Sequence, residues 1–347
     1  MKLHYLLACC MGLLCAGAQG ADLSQTVLGR LAATLKPGQA SKVTARDYDA
    51  LPWLPDSFYY GDGAAWNPLA QRIEFVASPA GGTPRYRYVY DVATDHWSAD
   101  LVPWQHSGHG YDSNAVDGQG THCFAKYGNR VVCHQADDTW AELPAAPWQP
   151  GTVQALEHFP GRGLVLVNRT GLVGLWDGSE WTNISGAEGS WGNTGTWATA
   201  VGKEVYLGAG TAVFRLDCDL RLTRLPDPPW AMGNNQALHT TDGDKLLVAR
   251  SDGAMWLEFD GSAWVERPDL VSGAIMNRYH YYVTYIPGLS AIVTMSKRGS
   301  DHQMWLVKVA KAQTPADVQC PARATQEVAP KLPSEDRLRG TLIPRDN

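Results

Sequence analysis

A unit of ~40–45 residues recurs along this chain, and no other feature limits its fold as tightly. Each copy opens on a small or polar cluster and enters an apolar run. A Gly-bearing turn follows, then a second apolar run, an Asp/Gly turn, a Trp, and a close on Leu-Pro or Pro-Trp. The first copy holds Ile73-Glu74-Phe75-Val76, Tyr88-Val89-Tyr90-Asp91 and Trp97, and closes at Pro103-Trp104. The second holds His122-Cys123-Phe124, Val131-Val132-Cys133 and Trp140, and closes at Pro147-Trp148. The third holds Leu164-Val165-Leu166-Val167, Leu175-Trp176-Asp177-Gly178 and Trp181, and closes near Trp191. The fourth holds Val205-Tyr206-Leu207 and Val213-Phe214-Arg215-Leu216, and closes at Pro229-Trp230. The fifth holds Leu246-Leu247-Val248, Leu257-Glu258-Phe259-Asp260-Gly261 and Trp264. The sixth holds Ile292-Val293-Thr294-Met295 and Met304-Trp305-Leu306-Val307, and there the pattern stops.

A four-stranded sheet with two apolar faces cannot bury both alone. Stacking such sheets around an axis buries each against its neighbours. The repeat therefore predicts an all-β, six-bladed β-propeller, with the recurrent Trp packed between blades. The sixth copy lacks an outer strand, and residues 41–53, ending Leu51-Pro52-Trp53, read as that strand. The N-terminal strand is expected to close the last blade and remove the free edge. Leu23, Val27, Leu31 and Leu35 have helical spacing. The predicted organisation is a signal peptide at 1–20, a helical segment at 21–40, the propeller at 41–310 and a tail, rich in Pro and charge, at 311–347.

Lys2, the apolar run Leu6–Ala16 and the small residues Ala16-Gly17-Ala18 have the order of a secretory leader, too short to span a bilayer. No later segment is long and apolar enough to do so. The protein is expected outside the cytoplasm, secreted or periplasmic. Cys9, Cys10 and Cys15 leave with the leader, and Cys123, Cys133, Cys218 and Cys320 remain. Four thiols in an exported chain suggest two disulfides, for which three pairings exist. Cys123 and Cys133 flank the turn Lys126-Tyr127-Gly128-Asn129, so a cross-strand bridge is expected there, leaving Cys218 to Cys320. The spacing does not suit zinc, and neither a metal nor another cofactor is expected. With 29 basic against 35 acidic residues and a net charge of −6, the chain lacks the basic excess of a nucleic-acid binder.

Tyr90-Asp91-Val92-Ala93-Thr94-Asp95-His96-Trp97 and Trp140-Ala141-Glu142-Leu143-Pro144 resemble kelch repeats. From about residue 40 to 310 the chain is similar to the galactose oxidase/kelch propeller superfamily, without most of the Gly-Gly pairs of kelch second strands. That resemblance implies a binding mouth on the face shared by the links into the innermost strands and the loops between second and third strands. The links carry Asp62 beside Tyr60, His109 and Tyr111 near Asp112, Gln154, Asn193, Asn234, and Arg278-Tyr279-His280. Polar side chains there would be expected of any wet channel, but imidazole, phenol and guanidinium crowd two of these links. The loops carry Arg85, Lys126 and Arg130, Arg169, Arg250, and Lys297-Arg298; only the fourth copy, with Gly208-Ala209-Gly210, has none. Converging guanidinium groups suit carboxylate or sulfate.

The leading expectation is a carbohydrate-active protein taking an acidic polysaccharide or oligosaccharide as a monomer. In its sharpest form it is a polysaccharide lyase. His109 or His280 would be the base, Tyr111 or Tyr279 the acid, and Arg278 with Arg298 would hold the uronate carboxylate. A hydrolase would need paired carboxylates, for which Asp62 and Asp112 are candidates. Sialidase Asp boxes are absent, and the further ligand domain of a copper oxidase is missing. A non-catalytic module binding glycans or proteins is the alternative from another class, since a fold alone does not name an activity.

Overall fold

A computed structural model describes residues 22–53, 58, 61, 63–77, 85–104, 112–126, 129–148, 154–168, 170–185, 196–232, 237–250, 255–270, 281–298, 301–309 and 319–321. The described strands form six four-stranded antiparallel sheets. Blade one is Ala65–Asn67, Arg72–Val76, Tyr86–Asp91 and His96–Leu101, from the innermost strand outwards. Blade two is Asn114–Val116, His122–Lys126, Arg130–His134 and Trp140–Glu142. Blade three is Gln154–Phe159, Gly163–Asn168, Val173–Trp176 and Trp181–Asn183. Blade four is Thr196–Val201, Glu204–Ala209, Ala212–Leu216 and Leu222–Arg224. Blade five is Ala237–Thr241, Leu246–Arg250, Trp256–Phe259 and Trp264–Glu266. Blade six is Tyr281–Ile286, Ala291–Arg298 and Asp301–Lys308, completed by Ala40–Val43.

The N-terminal strand thus closes the ring, with Ala40 opposite Val307 and Val43 opposite Met304. It is shorter than the 41–53 read from the sequence: only Ala40–Val43 pairs with blade six, Tyr48–Ala50 is a 3-10 turn, and Trp53 packs on Tyr88 and Trp97 of blade one. Gly63 bridges Val283, and the Ala64 N–H donates to the Val283 carbonyl at 2.9 Å, so blades one and six also meet at their innermost strands. The helix Val27–Thr34 starts on Thr26, whose hydroxyl accepts from the Gly29 N–H. It buries Leu28 and Ala32 in the same core as Leu289, in the first turn of blade six.

Tryptophans hold the blades together in two ways. Where a blade ends, its Pro-Trp wedges against the outer-strand Trp of the next. Trp104 meets Trp140 at 4.6 Å between ring centroids, Trp148 meets Trp181 at 6.1 Å, and Trp53 meets Trp97 at 6.3 Å. Trp230 and Trp264 pack against one core between blades four and five. Gly174 leaves room for this, since a Cβ there would lie 2.0 Å from the Trp148 ring. Outer-strand indoles also reach backwards: Trp181 Nε1 donates to the Pro144 carbonyl at 2.7 Å, and Trp264 Nε1 to Pro226 at 2.9 Å. Before each of these tryptophans an Asp-Gly-Ser turn is held by its aspartate, with Asp177 accepting from Ser179 and Asp260 from Ser262. Trp181→Phe and Trp264→Phe should each lower unfolding stability by about 1–2 kcal/mol, because the carbonyl loses its donor and the smaller ring gives up part of the packing. The two losses should add in urea unfolding, since they lie at different interfaces.

Both disulfides form as expected. Cys123 and Cys133 face each other across adjacent strands with Cα atoms 4.0 Å apart. Cys218 joins Cys320 over 102 residues of sequence. No described helix is long and apolar enough to cross a membrane.

Candidate functional site

The strand order puts the links into the innermost strands and the loops between second and third strands on one face. Asp112 forms the floor beneath that face. It lies two residues before the innermost strand of blade two, and it is 4% exposed. Its carbonyl accepts from Leu156 N–H of blade three at 2.8 Å. Its Oδ2 accepts from Ala198 N–H of blade four at 2.6 Å. A Cβ on Gly63 of blade one would lie 2.0 Å from its Oδ1. His239 of blade five has Nε2 at 3.7 Å from Oδ2. The carboxylate is therefore ringed by groups from three other blades and the backbone carbonyl is bonded by a fourth, which places Asp112 near the axis of the ring.

His239 is itself held from the side. Its Nδ1 is 2.7 Å from Thr199 Oγ1, and its ring lies 5.2 Å from that of Trp197. Burial pushes the imidazole down to about 3, so it is neutral at physiological pH. Deeper along the innermost strand of blade three, Glu157 accepts from His158 N–H at 2.7 Å and from Ala200 N–H at 3.1 Å. The walls crowd this carboxyl, and burial raises it to about 7 despite the two donors. With burial raising its carboxyl, Glu157 is a group that can hold a proton near neutral pH.

A second buried polar cluster clasps blades one and two. Arg87 Nη2 donates to Glu74 Oε2 at 2.5 Å, and Asn67 Nδ2 donates to Glu74 Oε1 at 3.0 Å. His122 Nδ1 lies 3.8 Å from the same carboxylate. Asn114 Oδ1 accepts from Val76 N–H, and Asn114 Nδ2 donates to the Gly63 carbonyl. With Asn114 so oriented, His122 Nε2 must carry the proton it shares with Oδ1 at 3.2 Å. Burial pushes Glu74 up, but His122 and Arg87 outweigh it and hold the carboxyl below its usual range. Burial drives His122 down to about 3, Glu74 opposing and Arg87 assisting.

The cationic rim keeps its register at the level of the strands. Lys126, Arg250 and Arg298 end the second strands of blades two, five and six; Arg130 begins the third strand of blade two, and Arg85 directly precedes that of blade one. Their settings differ. Arg85 is 1% exposed, and burial lowers its guanidinium to about 10, with Tyr282 of blade six opposing. Lys126 Nζ and Arg130 Nη1 both reach Glu142, each at 3.2 Å. Lys126 also lies 5.4 Å from the Trp104 ring. Arg250 is partly buried.

His109, Tyr111, Tyr279, His280, Asp62, Arg169 and Arg278 lie outside the described residues, as does the side chain of Arg298. Asn193, Thr194 and Asn234 lie outside them too. Among the described residues no cluster of three or more His, Cys, Asp or Glu has the geometry to hold a metal. Sequence reasoning passed over Glu157 and His239. No local signal marks either one, since their strands, Gln154–Phe159 and Ala237–Thr241, carry other polar residues as well.

No family model matches the chain, and no curated protein resembles it significantly. Solved structures do resemble it in fold. An auxiliary nutrient binding protein from Bacteroides thetaiotaomicron is 11% identical, over 72% of this chain and 69% of that one, with a TM-score of 0.51. A gluconolactonase from Xanthomonas campestris is 13% identical, over 80% of this chain and 99% of that one, with a TM-score of 0.50. These likenesses support the propeller; the kelch-like character remains one of blade motif.

Proposed function

We propose that this is an exported propeller whose mouth, above Asp112, binds an acidic, uronate-containing glycan. The observation that carries the reading is the shared register of Lys126, Arg130, Arg250 and Arg298 at strand ends of a single face, Arg85 being buried. In a chain of net charge −6, that bias sets one face against the whole. Two disulfides fit an oxidising compartment, as the leader at 1–20 requires. The folds of an auxiliary nutrient binding protein and a gluconolactonase are compatible with a carbohydrate ligand.

The sharper form of the reading is β-elimination. Arg278 and Arg298 neutralise the uronate carboxylate. His109 or His280 removes the C5 proton, the C4–oxygen bond breaks, and Tyr111 or Tyr279 returns a proton to the leaving oxygen as the C4–C5 double bond forms. The alternative is a non-catalytic module. The observation favouring it is that Asp112, His239 and Thr199, the described polar groups of the floor, are committed to one another and to backbone.

One assay separates the two. Polyuronate is offered to the intact protein, and absorbance of the unsaturated uronate is followed beside direct binding. Elimination requires a rise that either His109→Ala or His280→Ala abolishes; binding without a rise supports the module. Arg250→Glu with Arg298→Glu should weaken polyuronate binding at least tenfold at low salt, with a smaller effect at high salt. Unchanged binding in that double variant would remove the acidic-glycan reading.

A further inference from the structure

The two disulfides stand in different surroundings. Cys123 and Cys133 are 0% and 5% exposed and pack in the core between blades two and three with Ala146, Leu156 and Leu164. Cys218 instead lies in a surface turn between the third and fourth strands of blade four and keeps partial solvent contact. Its partner Cys320 belongs to the short described segment 319–321, which lies over the Pro160-Gly161-Arg162 turn of blade three. Cys320 N–H donates to the Pro160 carbonyl at 3.1 Å. Gly161, at a φ of +74°, fits beneath, since a Cβ there would lie 2.7 Å from the Cys320 carbonyl oxygen. Arg162 then clamps both sides of the bridge. Its Nε and Nη2 donate to the Cys218 carbonyl at 3.1 and 2.8 Å, and its Nη1 donates to the Pro321 carbonyl at 2.6 Å.

From this contrast we infer that Cys218–Cys320 is a site of thiol–disulfide exchange, opened by a dithiol reductant while Cys123–Cys133 stays closed. Exchange needs an in-line approach to one sulfur and a leaving thiolate that the surroundings tolerate. Cys320 is itself 5% exposed, so the approach is to the partly exposed Cys218. The guanidinium of Arg162, bonded to the carbonyls of Cys218 and Pro321, sets a fixed positive charge near the leaving sulfur. A thiolate of the dithiol attacks Cys218 Sγ. The bond to Cys320 breaks, and Cys320 leaves as a thiolate that takes up a proton. The second thiol of the reductant then displaces Cys218 from the mixed disulfide, so two electrons pass from the dithiol and its own disulfide forms. Opening leaves segment 319–321 held by the Pro160 and Arg162 hydrogen bonds, by the Cys320 Sγ contact to the Lys203 carbonyl and by the packing of Cys320 in the core of blades three and four. The site lies on the face opposite the glycan mouth, so the inference does not depend on the proposed ligand.

The test uses the full exported chain under native conditions with dithiothreitol as the reductant. Aliquots are quenched with iodoacetamide and the four cysteines are read by peptide mass. Cys218 and Cys320 should become alkylated at least about tenfold faster than Cys123 and Cys133. Amide exchange at Cys320 should rise in step with the alkylation. Arg162→Gln should slow the opening several-fold and Arg162→Lys should restore it, which a purely packing role for the side chain would not produce. If Arg162→Gln does not fold, the relative rates in the unaltered protein decide alone. Equal rates at the two bridges, or earlier opening of Cys123–Cys133, would overturn the inference.

Discussion

Asp112→Ala should cost about 2–4 kcal/mol of unfolding stability, a large loss for a side chain that touches no extended apolar core. The carboxylate is the acceptor for Ala198 N–H at 2.6 Å, and that donor is buried at the crowded axis with no described alternative. Leaving it unpaired costs more than the net value of the bond when made, because the desolvation of the N–H is no longer offset. Asp112→Asn keeps an oxygen for Ala198 and should lose about half as much. Gly63→Ala attacks the same point from the other side: its new Cβ would stand 2.0 Å from Oδ1, forcing the carboxylate off the axis. Urea midpoints of all three variants check the argument. The outcome also settles an ambiguity in the sequence, where Asp112 reads equally as a hydrolase carboxylate or a turn residue. An Asp112→Ala protein of undiminished stability would return it to the list of acids available for chemistry.

The propeller is legible because its information is local. Each blade repeats strand, turn and Trp within ~40–45 residues, and the period alone implies stacking. The closing strand was legible for the same reason, since Leu51-Pro52-Trp53 copies the ending of the other units. Cys123 and Cys133 pair across one hairpin, and their turn announces it. The axis is different in kind. Asp112 meets Ala198 at a separation of 86 residues, and the contact exists only once the ring has closed. Nothing local in Ala237-Leu238-His239-Thr240-Thr241 marks its imidazole as the neighbour of Asp112 and Thr199. Arg85 shows the converse. Its spacing assigns it to the mouth, yet its side chain is buried and its charge neighbour is Tyr282 across the seam between blades one and six. A repeat fixes the end of a blade at which a residue stands, whereas the angle between blades decides which way its side chain leaves.

Acidification should destabilise this protein steeply, starting near pH 6.5 rather than in the carboxylate range. His122 and His239 ordinarily titrate at 6.5, and burial lowers each to about 3 in the fold. Between those values the unfolded chain binds two protons that the native state refuses, so the stability they contribute is lost as pH falls from about 6.5. Glu157 opposes them. Its carboxyl rises from 4.5 to about 7, so the native state holds a proton that the unfolded chain releases, and its contribution is lost as pH rises through 7. From about pH 6.5 to 4.5 these three groups together take up one proton on unfolding, about tenfold per pH unit, and about two below 4.5. His134 and His158, which burial also holds below their usual range, add to the fall. Glu74, held below its usual range by His122 and Arg87, steepens the lower limb further. His239→Gln and His122→Gln should each lose stability at pH 7.5 yet show a shallower fall towards pH 5, because one of the two refused protons is gone. Urea midpoints at pH 7.5, 6, 5 and 4 measure this directly. A wild-type midpoint that stays level from pH 7 to 5 would mean that these imidazoles meet water in the native ring, and the burial of Asp112 and His239 near the axis would have to be given up.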